Sequence, residues 1–532
     1  MLHFIPAWYQ QGEWCENEQK WYIRRMHTEF DDTVKQVQLF QRSGAYPYQI
    51  LLLGFSPNFR HFLHRQGVYH APYWSCFDAM QEIRRERAAV LSYHNISWPA
   101  GVEFVYTPFA AVAMLHGEKY AQIEFGEDGN PIQIDLFEKG IICRRNLYDD
   151  RGFIGSTILF REGRPSRQDY LGENGTWKLR CFREDGHVEI NPKSPQYFLS
   201  YQGYEKTKKF YKLSYDSMEQ VIREVLNAYL RMTEEEDLFC AAMHGHHTEL
   251  LKEALRGRKI ILSFFADRYL PGEHPEAGEM MEEAAWLITD SRENAGRILE
   301  QAEGLEGKIT DISPYDSRVD FGISDQLPVQ KILVPVDGME EETFGEVIRA
   351  LGRYLPENEN ARVHLFTRQA DYGRKAQLLE QTRRYLQEAG LPAGWAAEGE
   401  TGQFYSENNL EEQESQPVLF QAEQCVDELS VSKCMREQRL LMDMRRVPEL
   451  YLQIMALSVG IPQAVRTKTQ FVRQGRNGIV LGEAEQIPAV LRYYLDSLAN
   501  WNYAKVCSYK VGKQYTANVL MEKWKEVIET IG

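Results

Sequence analysis

VPELYLQIMALSVGIPQAVRTKTQFVRQGRNGIVLG, residues Val447–Gly482, is the stretch whose reading decides the fold of this chain. Leu450, Ile454, Leu457 and Ser458 form a helix-compatible stripe that runs into Gly460, a residue suited to a helix C-cap. Ile461–Val465 then reads as a short buried strand. Gly475–Gly478 reads as a tight turn before the strand Ile479–Leu481. Upstream, strand and helix alternate in the same way. Lys331–Val336 and Arg362–Phe366 are expected strands, and Thr343–Tyr354 and Arg374–Ala389 expected helices. Thr401–Pro417 is polar and acidic, a surface loop. Downstream come a helix over Ala484–Ala499, a loop, and a last helix over Thr516–Ile531. This rhythm is that of an open α/β sheet.

The N-terminal half begins in the same style. His3–Tyr9 reads as a buried strand and Trp21–Phe40 as a long amphipathic helix with Phe30, Val34, Val37 and Phe40 at helical spacing. YQILLLG, Tyr48–Gly54, is a continuous apolar run, the pattern of a parallel strand buried on both faces. From about Glu103 to Lys212 the period changes to two. Apolar residues alternate about Asp128-Gly129 and again about Asp185-Gly186, which predicts antiparallel hairpins. Helical period returns at Ser217–Met232. The strands Asp237–Met243, Lys259–Phe265 and Ala284–Thr289 follow, and Ser313–Asp325 connects to the second α/β set.

At 532 residues the chain is long enough for two or three cored domains, and 43% apolar with 26% charged residues is an ordinary globular balance. A formal charge of −16 argues against general nucleic-acid binding. The eight cysteines are scattered with no Cys-x-x-Cys pair, which predicts reduced thiols and no zinc knuckle. The N-terminus has no signal-peptide pattern. The longest apolar run, Phe104–Leu115, is far short of the roughly 20 residues a membrane helix needs. A cytosolic protein, at most peripheral to a membrane, is the expectation.

Few residues offer chemistry. His244-Gly245-His246-His247 lies between an expected strand and a helix, where a histidine can face a ligand; shaping the strand–helix turn is the alternative reading. After the strand Lys331–Val336, a diphosphate-binding α/β lobe needs cations. Here the chain reads Asp337-Gly338-Met339-Glu340-Glu341-Glu342, which suits a helix N-terminus and repels a pyrophosphate. Between Lys139 and Arg183 ten basic residues face five acidic ones. Within this basic stretch Arg161, Arg164 and Arg167 are candidates for an acidic partner or anionic lipid, against a solvated hairpin surface as the alternative. No Walker A loop, Gly-x-Gly-x-x-Gly loop, Gly-x-Ser-x-Gly elbow or His-Glu-x-x-His motif occurs, and no metal or cofactor is expected.

Two resemblances add to this reading. The stretch Val447–Gly482 resembles the donor-site unit of GT-B glycosyltransferases, where two glutamates eight positions apart flank a Gly-x-Pro turn and an Asn-Gly turn follows. Gly460-Ile461-Pro462 and Asn477-Gly478 fit that frame, and the glutamate positions fall on Val447 and Met455. Glu449, two positions on, is the alternative carboxylate. In addition FIPAWY (Phe4–Tyr9), EFDDTVKQVQLFQ (Glu29–Gln41), FSP (Phe55–Pro57), SPYDSRVDFGISDQ (Ser313–Gln326), SVGIPQ (Ser458–Gln463) and WNYAKVCSYKV…EKWKEVI (Trp501–Ile528) resemble, in order and spacing, the accessory secretory protein one family of Gram-positive bacteria.

The resemblance implies a GT-B-like α/β fold. It has two Rossmann-like lobes, an antiparallel β-sheet insertion in the first, and a C-terminal helix crossing back to the first. The expected segments are 1–102 and 213–325 (first lobe), 103–212 (insertion), 326–500 (second lobe) and 501–532 (returning helical segment). It further implies loss of catalytic residues and a scaffold role beside accessory secretory proteins two and three. The expected task is export of serine-rich repeat glycoprotein adhesins with an accessory SecA motor and SecY channel. A residual nucleotide-sugar glycosyltransferase and a lectin-like binder of the adhesin glycans remain the alternatives. The cleft candidates are His244, His246, Arg446, Gly460, Asn477 and Gly478, with Val447 and Met455 as the degenerate positions.

Overall fold

A computed structural model describes residues 1–10, 12–16, 18–23, 28–274, 277–301, 304–399 and 417–532. The expected loop Thr401–Pro417 therefore lies almost wholly outside the described residues.

Two parallel sheets carry the α/β halves. The first has seven strands in the spatial order Ile309–Asp311, Trp286–Thr289, Lys259–Phe264, Leu238–Ala242, Leu2–Ile5, Tyr48–Leu52, Tyr73–Ser75. Leu2–Ile5 is central and buried at every position, paired on one side with Tyr48–Leu52 and on the other with Leu238–Ala242. The strand is shorter than His3–Tyr9 predicts because Pro6 follows Ile5; proline has no N–H to give the ladder. The second sheet has six strands, ordered Phe420–Gln424, Ala361–Thr367, Gln330–Pro335, Gln438–Asp443, Gln463–Val465, Gly478–Val480.

Between the two parts of the first sheet the chain makes a ten-stranded antiparallel sheet from Val102–Tyr106 to Val188–Ile190, closed by Ser214–Tyr215. Both Asp-Gly turns hold glycine at positive φ, 76° at Gly129 and 77° at Gly186, a conformation that glycine adopts at little cost. A separate hairpin, Gln196–Tyr201 with Tyr204–Lys209, packs near the helices Cys76–Gln81 and Met218–Leu230.

Two helical expectations need correction. Of the helix read as Trp21–Phe40, residues 24–27 lie outside the described residues, and among the described ones the helix is Asp32–Ser43, after a 3-10 turn at Thr28–Phe30. The Asp31 carboxylate accepts from the Thr33 N–H and sets the start, as an N-cap does. The loop expected after Ala499 is a helix, Leu498–Gly512, capped by Ser497. Its inward stripe is Trp501, Ala504, Cys507, Ser508, Val511 and Gly512, small side chains apart from Trp501 and Val511, which give a weak apolar signal. The stripe lets this helix lie close to Leu450–Val459. Ser508 donates to the Ile461 carbonyl, and a Cβ on Gly460 would come within 2.5 Å of the Tyr509 ring.

One hydrophobic core runs through both lobes. It joins Phe4, Phe40 and Ile50 of the first to Leu441, Ile454 and Leu457 of the second. The last helix, Ala517–Ile531, returns to the first lobe as expected. Trp524 packs edge-on against Phe40 at 5.2 Å and Phe4 at 6.1 Å, and Lys523 donates to the Asp311 carbonyl at 2.7 Å. Among the described residues, no helix is long and apolar enough to cross a membrane.

Trp524 is 1% exposed, so Trp524→Ala is expected to remove about 3–5 kcal/mol of stability by leaving a cavity. Urea unfolding followed by fluorescence and by far-ultraviolet dichroism measures this. Because the core is shared, both probes should move together; a loss under 1 kcal/mol would mean the helix does not brace the first lobe.

Candidate functional site: the interlobe cleft

A cavity of about 380 Å³ opens where the lobes meet. Phe265, Ala266, Asp290, Ser291, Glu293, Arg297 and Tyr315 form the first-lobe wall, and Arg446–Leu450 with Thr467 and Thr469 the second. These residues follow the carboxyl ends of parallel strands, the place where open α/β sheets receive ligands.

The lobes are tied at its floor. Tyr315 donates its hydroxyl to the Phe30 carbonyl at 2.6 Å, and the Phe30, Tyr315 and Tyr451 rings pack edge to face. The Arg368 guanidinium lies 3.6 Å from the Phe30 ring centre and pairs with Glu449. Gln470 accepts from the Arg292 N–H and donates to the Asp290 carbonyl.

Val447 stands in the cavity wall, 64% exposed and without an acid group. Met455 does not share that wall. It sits along the helix Leu450–Val459, in a separate groove with Lys35, Asp316, Arg318, Tyr451 and Ser458. Glu449 does reach the cleft, at the N-cap of that helix, but its carboxylate is held by Arg368 and lies 3.8 Å from Arg445.

Several cations of the second lobe near the cleft have acids of the same lobe beside them. Arg445 makes a two-pronged contact to buried Asp443, at 2.8 and 2.7 Å. Arg374 pairs with Asp337 at 3.4 Å. Glu340 pairs with Arg446 at 3.6 Å and with Arg466 at 3.5 Å. The acidic turn therefore does more than complement a helix dipole, because Glu340 stands within ion-pair reach of two partly exposed arginines. Sequence alone missed Arg368, Arg466, Tyr315 and Gln470 as cleft-forming residues. Tyr315, Arg466 and Gln470 stood in quoted stretches without any signal of that role, and Arg368 stood outside them.

Three cleft candidates prove to be folding residues. Gly460 takes φ 78° as the helix C-cap against Tyr509. Fully buried Asn477 donates to the Phe471 carbonyl and accepts from the Arg473 N–H, closing its own loop. A Cβ on Gly478 would sit 2.5 Å from the Gln463 carbonyl oxygen. Neither face of the cavity is lined by them, and the spacing that suggested a donor site is the spacing of a close-packed strand pair.

The histidines form a cluster of their own at the end of Leu238–Ala242, outside the cavity wall, with His247 buried and His244 and His246 half-buried. His247 accepts from the Tyr9 hydroxyl at Nδ1 (3.0 Å) and donates from Nε2 to the Ala242 carbonyl (2.7 Å). His244 accepts the His246 N–H at 3.1 Å, and the His246 ring rests 4.2 Å from Trp14. Burial lowers all three pKa values, His247 to about 3 and His244 to about 4. These are neutral histidines shaping a turn. Arg161 and Arg164 flank the exposed turn Glu162-Gly163 with no ion pair among the described residues, while Arg167 lies 3.6 Å from Asp169.

A base held neutral in the folded state takes up its proton on unfolding, so its stabilising contribution is full above the ordinary pKa of 6.5 and declines below it. Stability should fall between pH 6.5 and 5, with His247 supplying up to about 1.4 kcal/mol per pH unit. Urea midpoints across that window measure the slope. His247→Gln should flatten it, and an unchanged slope would place the titration elsewhere.

Residues 1–530 match the family model of the accessory Sec system protein one. The chain is 29% identical to that protein of Streptococcus gordonii, over 99% of this chain and 98% of the relative. It superposes on a chain of the Glycosylation Associate Protein complex from Streptococcus agalactiae with TM-score 0.80 and 27% identity, covering 99% of this chain and 100% of that one. On a chain from the structure of accessory secretory protein 1, 2 and 3 in Streptococcus pneumoniae the values are 0.79 and 28%, over 100% and 99%. The pneumococcal O-GlcNAc transferase GtfA, solved with UDP and GlcNAc, superposes with TM-score 0.70 at 11% identity, over 100% of this chain and 98% of that one, a likeness of fold alone. The fold is GT-B-like, and with a family match over nearly its whole length the chain belongs to the accessory Sec system protein one family and has its role in that system.

Proposed function

We propose that this chain is a non-catalytic scaffold that assembles with accessory secretory proteins 2 and 3 in the export of serine-rich repeat glycoprotein adhesins, ahead of an accessory SecA motor. The observation that carries the non-catalytic part is the pairing of Arg446 and Arg466 with Glu340, beside a cleft wall where Val447 stands in place of a glutamate. A nucleotide sugar entering this cleft would have to displace internal ion pairs, and no carboxylate at position 447 would stabilise charge at its anomeric centre.

A second reading keeps the cleft as a sugar-holding groove without turnover. Its aromatic residues Tyr315 and Phe265 stand beside the hydroxyls of Ser291, Thr467 and Thr469, a mixture that suits a glycan. The exposed hairpin arginines Arg161 and Arg164, with Arg167, suit an anionic membrane surface.

Titration with UDP and UDP-GlcNAc, paired with a hydrolysis assay, separates scaffold from enzyme. No binding tighter than about 1 mM and no turnover are expected, for the wild type and for Val447→Glu/Met455→Glu alike. Turnover that disappears in Arg446→Ala would overturn the scaffold reading in favour of residual transfer. Binding of glycosylated but not bare serine-rich peptide, lost on Tyr315→Ala, would support the groove.

Flotation with anionic vesicles tests the hairpin. Replacing Arg161, Arg164 and Arg167 by alanine should reduce binding and weaken its salt dependence, since each cation near the surface contributes about 1 kcal/mol. Unchanged flotation would remove the hairpin from membrane contact.

A further inference from the structure

Every open sheet must do something with its edges, because an edge strand carries unpaired N–H and C=O groups that recruit another strand. This molecule treats its edges unequally. The first sheet ends in Ile309–Asp311 and Tyr73–Ser75, three residues each. The second ends in the three-residue strand Gly478–Val480 and in Phe420–Gln424, whose start is paired with the segment around Ala396: Leu419 donates to Trp395 and Ala397 donates to Phe420. The hairpin strand Tyr204–Lys209 carries Lys206, Lys208 and Lys209, the usual guard of an exposed edge. The antiparallel sheet closes at one end with only two residues, Ser214–Tyr215.

Its other end is different. Val102–Tyr106 is five residues long, VEFVY, with no lysine, arginine or proline, and among the described residues it pairs only with Ala111–Leu115. Its outward backbone groups can be assigned. Thr107 donates to the Ala110 carbonyl at 3.0 Å, so 107 and 110 are a bonded pair. Antiparallel alternation continues the bonded pairs at Val105 with Val112 and at Glu103 with Met114. The N–H and C=O groups of Phe104 and Tyr106 therefore point away from the sheet.

The side chains beside this edge are prepared for contact. Phe104 packs on Tyr93, His94 and Trp98 at 5.3, 5.1 and 5.5 Å, forming an aromatic shelf on one face. Val105 and Tyr106 are 51% and 65% exposed. Glu103 is the strand's single charge.

We infer that Val102–Tyr106 is a strand-addition site that receives an extended segment of a partner protein. That segment places apolar side chains on the Tyr93–Trp98–Phe104 shelf and a basic or hydroxyl side chain beside Glu103. A net charge of −16 on each copy opposes self-pairing of two such edges and favours a neutral or basic partner strand. The inference rests on the reading of this chain as one subunit of an assembly, and it names the surface that assembly uses.

The experiment is hydrogen exchange by mass spectrometry on the full chain, alone and mixed with accessory secretory proteins 2 and 3, with size-exclusion light scattering to read the assembly. The peptide covering residues 102–106 should exchange at least about tenfold more slowly in the complex. Val105→Lys, which places a guard charge on the edge, and Tyr106→Pro, which removes an outward donor, should each weaken assembly by about tenfold or more, while Val319→Lys on another exposed surface should not. If a variant fails to fold, the wild-type exchange still decides.

A complex that forms with residues 102–106 exchanging as fast as in the free chain overturns the edge and leaves the assembly reading intact. Protection that is present in the chain alone and lost on dilution makes a second copy the occupant and overturns the partner assignment. Failure of the wild type to assemble at all overturns both.

Discussion

The seam between the lobes is the constraint on which the rest depends. Phe30 comes from the first lobe and Tyr451 from the second, Tyr315 from the connector between them, and the Arg368 guanidinium lies against Phe30 and pairs with Glu449. A cation held on aromatic faces away from bulk water is worth more than one at an open surface. With the core behind it continuous from Phe4 to Leu457, the seam fixes where Arg446–Leu450 stand relative to Asp290 and Ser291. The cleft is the space this joint leaves.

Charge inside that space follows a simple logic. A site built for an anionic ligand must keep cations unmatched until the ligand arrives, and unmatched buried cations destabilise the empty protein. Here Asp443, Asp337, Glu340 and Glu449 stand within 4 Å of Arg445, Arg374, Arg446, Arg466 or Arg368. The empty protein is satisfied by itself. Such pairing favours the empty protein over one that holds an anion, which is the physical basis of the scaffold reading proposed above.

How much of this could be read in the sequence depended on range. Apolar runs such as YQILLLG fix parallel strands because both faces are buried, and the Asp-Gly turns mark hairpins because positive φ demands a permissive residue. Those are local signals, and they placed the lobes and the antiparallel sheet. The helix Leu498–Gly512 was missed because, apart from Trp501 and Val511, its buried stripe is built from the small residues Ala504, Cys507, Ser508 and Gly512. The cleft was half legible. Val447 and Arg446 line it, but Gly460, Asn477 and Gly478 share its sequence neighbourhood and face the packed interior. The pairing of Glu340 with Arg446 and Arg466 joins segments far apart in the chain, and no periodicity carries such information.

The contrast between the two ends of the molecule completes the argument. In the cleft Arg446 and Glu449 have partners of opposite charge, while among the described residues Arg297 meets only the Ala266 carbonyl and Asn294. At Val102–Tyr106 the backbone donors and acceptors remain outward and no guard residue has been placed on them. Selection against aggregation removes such edges unless something covers them, and the three-residue, lysine-bearing and partly paired edges elsewhere in this chain show that the means of removal were at hand. The sheet edge at Val102–Tyr106, rather than the cleft, is the surface that the inference above assigns to recognition. The unit of recognition there is a polypeptide strand held by a ladder of backbone hydrogen bonds, where a cleft would hold a small ligand by side chains.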